Sequence, residues 1–172
     1  SFENGVWSVF SGGHAPVKTF KNSYGTLLIT YYYDVKQFNQ SFQIIKQVDA
    51  AVYQGDPYTS DALMDKDNII WIATSAGLVR FDGETFDNAL NWRIYNSSNS
   101  SLISNTINDV KIDKSNNKWI ATNGGLSKFD DMYFTNYTIA NSSIPSATVY
   151  CLKFDNLENI WLGTLSGAAK FN

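Results

Sequence analysis

The sequence is short of most residues that carry chemistry. Its 172 residues include one cysteine, Cys151, and one histidine, His14. A lone cysteine allows no internal disulfide and no cysteine-rich metal site. A lone histidine removes the paired-histidine zinc motifs. Charged residues make up 17%, against a usual share of about 25%. Thirteen Lys+Arg against 16 Asp+Glu leave a net charge of −3, with no basic excess to meet phosphates, so nucleic acid is excluded as a partner. No apolar run approaches the ~18–20 residues of a membrane span, and no secretory leader is visible.

The gap is filled by 18 Asn, 18 Ser and 12 Thr, beside 15% aromatic residues. Plentiful aromatic and β-branched side chains with little charge describe a chain that folds around a core rather than a disordered one.

The organisation lies in internal repeats. Three segments align without gaps, IWIATSAGLVRFD from Ile70, KWIATNGGLSKFD from Lys118 and IWLGTLSGAAKFN from Ile160. Asp65, Asp113 and Asp155 each stand six residues before the Trp of their copy. A weaker upstream copy puts Leu28 at the Trp position, with Phe38 following it as Phe81 follows Trp71. The resulting spacings are 43, 48 and 42 residues, a period typical of propeller blades.

Each period reads as four short strands, A to D. In the third copy Thr106–Ile112 alternates and is strand A, Lys118–Thr122 is B, Gly125–Phe129 is C and Tyr133–Tyr137 is D. The Asp-rich and Gly-containing stretches between them are turns. No amphipathic helix of convincing length appears. The expected fold is therefore an all-β propeller of four-stranded antiparallel blades. Its blades run over about 16–46, 58–95, 105–137 and 146–172, with a further strand at 2–10 that matches a D strand. Chain start and chain end fall at the same point of the repeat. Either the N-terminal strand completes the last blade of a four-blade ring, or the four blades are a slice of a larger ring. The slice is favoured, because four blades are the small extreme of the range.

The pattern D-x5-W-I-A-T-x2-G-L-x2-F-D, with the joint from Asn91 to Ile107, resembles the two-component regulator propeller repeats of the Bacteroidetes. The resemblance covers about Tyr58 to Asn172. In the first copy Leu28 replaces the Trp, and Tyr33-Asp34-Val35 replaces the Gly-Leu of strand C. The resemblance implies a periplasmic or surface location, in the sensor region of a hybrid two-component system, where many members respond to glycans. It equally admits secreted proteins, including components and cargo of the type IX secretion system.

The individual residues favour packing over chemistry. Trp71, Trp119 and Trp161, with Phe81, Phe129 and Phe171, recur in register and are expected between blades, each stabilising the fold by ~1.5–3 kcal/mol on burial. Asp65-Lys66-Asp67-Asn68 resembles the start of a calcium loop but lacks the later ligands, so the three repeated Asp residues are expected in Asx turns and no metal or cofactor is expected. His14 falls in a loop by composition, and no nucleophile–base pattern accompanies it, so no catalytic residue is assigned. Five Asn-x-Ser/Thr sequons begin at Asn39, Asn96, Asn99, Asn136 and Asn141, and matter only in a host that N-glycosylates.

Binding candidates follow from strand polarity. Strands A and C run one way and B and D the other, so B–C turns and D–A joints open on one face. Tyr31, Tyr32, Tyr33, Ser75, Asn105, Asn123 and Ser166 are the candidates on it, led by the tyrosine run, since an aromatic ring with a polar tip suits stacking on a sugar or a partner. The expected function is a non-catalytic extracytoplasmic module that senses a ligand or glycan or binds a protein. The alternative is a structural adaptor or cargo of a secretion or adhesion machine. Further blades or domains of the same longer protein are a third class of partner.

Overall fold

The computed structural model describes residues 16–21, 27–31, 34–38, 44–49, 58–82 and 89–171. The expected strand at 2–10, His14, Tyr32, Tyr33 and the Asn39 sequon lie outside the described residues.

Among the described residues fifteen strands form four antiparallel sheets in chain order. The first blade is β1 (Pro16–Lys21), β2 (Leu27–Tyr31), β3 (Asp34–Phe38) and β4 (Ile44–Asp49). The second is β5 (Thr59–Met64), β6 (Ile70–Thr74), β7 (Gly77–Phe81) and β8 (Trp92–Tyr95). The third is β9 (Ile107–Ile112), β10 (Lys118–Thr122), β11 (Gly125–Phe129) and β12 (Phe134–Tyr137). The fourth has three strands, β13 (Val149–Phe154), β14 (Ile160–Thr164) and β15 (Gly167–Phe171). Among the described residues the helical content is one 3-10 turn, Ala89–Asn91. The all-β, blade-by-blade expectation is borne out. The repeats also superpose in pairing: Ile70 faces Phe81, Lys118 faces Phe129, Ile160 faces Phe171 and Leu27 faces Phe38. Leu28 therefore does occupy the Trp position. Tyr31 differs from expectation: it is the last residue of β2, opposite Pro16, rather than part of the B–C turn.

The turns explain the repeated letters. Thr74 Oγ1 donates to Gly77 O at 2.7 Å and accepts from Ala76 N at 3.1 Å, and Thr122 and Thr164 close their B–C turns in the same way. The glycine opening strand C has φ +136° at Gly77 and Gly125, where a Cβ would meet Tyr95 O at 2.4 Å or Tyr137 O at 2.3 Å. Only glycine satisfies both the dihedral and the approach of the D strand. In the joints, Asn99 Nδ2 donates to Ile94 O at 2.9 Å and Asn141 Nδ2 to Asn136 O at 3.1 Å. Each spends a carbonyl of an outer strand, which blunts a sheet edge against further pairing.

The first strands of successive blades lie beside one another on the inner side of the array. Each of them carries a bulge at the same place, at Val17, Ser60, Asn108 and Tyr150. The core lies between blades. Trp71 is fully buried, stacked on Tyr95 of its own blade at 6.2 Å and edge-on to Phe129 of the next at 5.9 Å. Trp119 repeats this with Tyr137 at 5.9 Å and Phe171 at 5.7 Å. Trp161 departs from the packing expectation: it is 47% exposed. Its blade has no fourth strand among the described residues, and none of the described residues covers its ring.

Lys118 has no counterpart in the neighbouring blades, which carry Ile70 and Ile160 at its place. It is fully buried, with Nζ 2.6 and 2.7 Å from the two oxygens of Asp131, 3.5 Å from Asp65 and 4.6 Å from the Trp71 ring centroid. Two carboxylates and an aromatic face replace the water this ammonium has lost.

Candidate functional site

The B–C turns and D–A joints do meet at one end of the blades. Ser75 N donates to Tyr58 O at 3.0 Å, Asn123 N to Thr106 O at 3.2 Å and Leu165 N to Thr148 O at 3.0 Å, so each B–C turn is tied to the start of its own inner strand. Of the expected site residues, Ser75, Asn123 and Ser166 are exposed and Asn105 is half-buried. Ser75 Oγ accepts Tyr58 N at 3.0 Å, and Asn105 Oδ1 accepts Ser97 N at 2.7 Å. Asn123 Oδ1 accepts from Asn108 Nδ2 at 2.9 Å. The amides are thus partly spent on the frame. Ser75 and Asn123 belong to different blades and are not in contact through any of these bonds.

The bulged residues stitch the blades together at this end. Ser60 Oγ donates to Ile107 O of the next blade at 2.6 Å. Asn108 Nδ2 donates to Val149 O of the next at 2.8 Å. Tyr150 takes the same place in the fourth blade and is 50% exposed. Tyr58, at the mouth of the second blade, is 55% exposed. These two aromatics escaped sequence reasoning. At Tyr150 a bulge puts two residues opposite one, which breaks the alternation by which facing is read, and Tyr58 precedes its strand, where no alternation applies.

Along the inner strands Lys111 Nζ is paired with Asp61 at 2.7 Å and with Asp109. Asp109 Oδ2 accepts Leu152 N of the fourth blade at 2.8 Å. Burial pushes the Asp109 carboxyl above its ordinary value, aided by the neighbouring Asp61 and opposed by Lys111. Burial also works against the Lys111 ammonium, but the two carboxylates outweigh it and raise its pKa. Every oxygen of Asp109 is engaged, so the group acts as a clamp across blades two, three and four. Among the described residues no three His, Cys, Asp or Glu side chains come together to hold a metal.

The repeated Asp residues sit in Asx turns as expected, and each has a second role. Asp65 Oδ1 accepts the N–H groups of Asp67 and Ile69 at 2.9 and 3.0 Å, while Oδ2 accepts the Trp71 indole. Three sequon amides are also occupied: Asn99 and Asn141 as above, and Asn136 Nδ2 donating to Ser101 O at 2.8 Å.

Repeated four-stranded sheets with inner strands side by side define the chain as blades of a β-propeller. No family model and no curated protein matches the sequence. Solved structures do. The extracellular domain of the hybrid two component system BT3049 from B. thetaiotaomicron is 25% identical, with TM-score 0.71 over 99% of this chain and 23% of that one. Virginiamycin B lyase from Staphylococcus aureus, in a catalytically inactive variant with quinupristin, is 14% identical with TM-score 0.69, over 96% of this chain and 58% of that one. PorZ, a surface component of the type-IX secretion system of Porphyromonas gingivalis, is 14% identical with TM-score 0.61, over 91% and 26%. The last two share the fold. The first, together with the repeat pattern, agrees with the two-component regulator propellers and with a periplasmic or extracellular location. The chain spans about a quarter of that neighbour's length. No helix among the described residues is long and apolar enough to cross a membrane.

Proposed function

We propose that these blades form part of a non-catalytic propeller outside the cytoplasm that binds a ligand, with a glycan as the first candidate, through the face where B–C turns and D–A joints open. The observation that carries this reading is the pair of exposed aromatics, Tyr58 immediately before inner strand β5 and Tyr150 on inner strand β13. The bonds from Ser60 and Asn108 hold those strands in register. A rigid frame presenting solvent-facing rings loses little entropy on binding. On the sequence pattern alone the proposal extends to Tyr31, Tyr32 and Tyr33 of the first copy, and Ser75, Asn105, Asn123 and Ser166 supply polar groups on this face. Likeness to a sensor's extracellular domain supports a binding role.

A glycan array tests the proposal. Binding that weakens with Tyr150→Ala or Tyr32→Ala at an unchanged melting temperature supports it. Recovery of envelope proteins in a pull-down, with the array silent, favours the adaptor reading. Turnover of a polysaccharide or a cyclic peptide by the purified chain would replace both with an enzyme.

A further inference from the structure

A second surface, on the outer strands and reaching from the D–A joint at Asn99 to the opposite end of the blades, is built for a different kind of ligand. Between the outer strands of the second and third blades, β8 and β12, runs an open cleft of about 360 Å³. Its floor is aromatic: Phe134 stacks on Phe129 at 4.3 Å and meets Tyr95 edge-on at 5.8 Å. One wall is the C–D turn of the third blade, with Met132 at 75% and Tyr133 at 68% exposure. The other wall carries Arg93, which is exposed, and among the described residues nothing pairs with its guanidinium.

The exposed wall is not a loose loop. Asp130 Oδ1 accepts Met132 N at 3.0 Å and Tyr133 N at 2.7 Å. The next residue, Asp131, is held at φ +75° with its carboxylate clamped on buried Lys118. The turn is thus pinned from both sides while its two large apolar side chains stand in water. Pre-organised apolar side chains in a desolvatable cleft are what binding hot spots are made of. Repeat consensus does not explain the site, because Arg93 corresponds to Thr135 in the third blade and Lys118 to an isoleucine in its neighbours.

We infer that this cleft receives an extended polypeptide segment of a partner protein, about four residues long, with a carboxylate on Arg93 and an apolar side chain against Met132 and Tyr133. The length follows from β8, whose four residues at about 3.3 Å each set the reach of the cleft from the joint at Asn99 to the turn at Tyr133. The acidic character follows from the free guanidinium, which pairs with a carboxylate in a two-pronged geometry. The Met132 thioether, only a weak acceptor for a hydroxyl, favours an aliphatic side chain over a sugar.

The two methionines make the test direct. Met132 lines the cleft and Met64 lies on β5, so methyl-labelled methionine gives one reporter and one internal reference. The probe is a capped tetrapeptide alternating glutamate and leucine, added to the full chain up to about 5 mM, a range that catches weak contacts. The Met132 methyl should shift with saturation while Met64 stays. Arg93→Gln, or the glutamine–leucine peptide on the unaltered chain, should weaken the binding by about fivefold or more. Tyr133→Ser should also weaken it, with the Met64 signal confirming an intact fold. A Met132 methyl that does not move overturns the inference. So does a shift equal in Arg93→Gln, or trigalacturonate moving Met132 where the peptide does not, which would make the cleft a saccharide site. None of these outcomes bears on the inner face, whose reading stands or falls with the tyrosine variants.

Discussion

The carboxylate of Asp65 accepts the indole N–H of Trp71 at 2.9 Å, six residues on, while its other oxygen holds the turn between them. The pair recurs as Asp113 with Trp119 at 2.9 Å and Asp155 with Trp161 at 3.0 Å. One side chain thereby sets both the A–B turn and the orientation of the ring that packs against the next blade. That double duty accounts for the two letters keeping a fixed spacing in copies that otherwise differ.

Trp71→Ala should cost ~3–5 kcal/mol, the price of emptying a fully buried aromatic site. Trp161→Ala should cost about 1 kcal/mol, since that ring is already 47% exposed. Urea unfolding of the two variants measures the difference. Equal losses would mean that Trp161 is covered in solution.

Gly125→Ala should destabilise by more than ~2 kcal/mol, because the new Cβ would sit 2.3 Å from Tyr137 O and at a positive φ. Gly167→Ala has the same kind of dihedral but nothing within 4 Å of the added carbon, so it should lose only ~1–2 kcal/mol. Thermal melts of both proteins separate backbone strain from the clash with the outer strand.

Asp131→Ala should harm the fold more than Lys118→Ile. The first leaves a fully buried ammonium with only Asp65, at 3.5 Å, and the Trp71 face, a loss of ~2–4 kcal/mol. The second installs the residue the neighbouring blades already use there and leaves Asp131, half open to water, to be solvated, a change of about 1 kcal/mol. Denaturant midpoints decide the order.

Stability should fall with acid in a way that names its groups. Burial pushes the Asp113 carboxyl up, but the hydrogen bonds from Asn117 and Trp119 outweigh it and hold it below its ordinary 3.8. Bonds from Asn159 and Trp161 hold Asp155 well below the usual carboxylate range. A group depressed in the folded state contributes stability that is present above its unfolded pKa and lost as pH falls through the folded one. The loss should therefore begin below about pH 4. Asp109, raised by burial, works in the opposite sense, costing stability as pH rises through its folded pKa. In urea midpoints taken from pH 2 to 6, roughly the span of these titrations, Asp113→Asn should flatten the acid limb and Asp109→Asn should steepen its rise.

The strands were legible because the repeat superimposes three copies of the same signal. Lys118–Thr122 and Gly125–Phe129 are strands over the residues expected, since the Thr-closed turn and its glycine mark their ends. Tyr31 was misplaced by one element because its copy has Asp34 where the others have glycine, so the turn lost its marker. Packing was legible for Trp71 and Trp119 and not for Trp161, because periodicity reports a position in a blade and says nothing of what lies against it. The site was the least legible. Tyr150 faces solvent from a bulge, Arg93 is exposed and among the described residues meets no carboxylate, and Met132 stands out because a buried lysine pins the turn beside it. Each depends on contacts between segments far apart in the chain.

The shared bulge has a practical reading. Val17, Ser60, Asn108 and Tyr150 hold one address in four blades with four different side chains. In each inner strand it is the residue left without a partner in the pairing register. At Ser60 and Asn108 the side chain is spent on the next blade, whereas Tyr150 is exposed, so a substitution at Tyr150 edits the mouth of the array without touching those inter-blade bonds. Saturating Tyr150 alone gives a library in which the surface at the mouth varies while the bonds from Ser60 and Asn108 keep the frame constant.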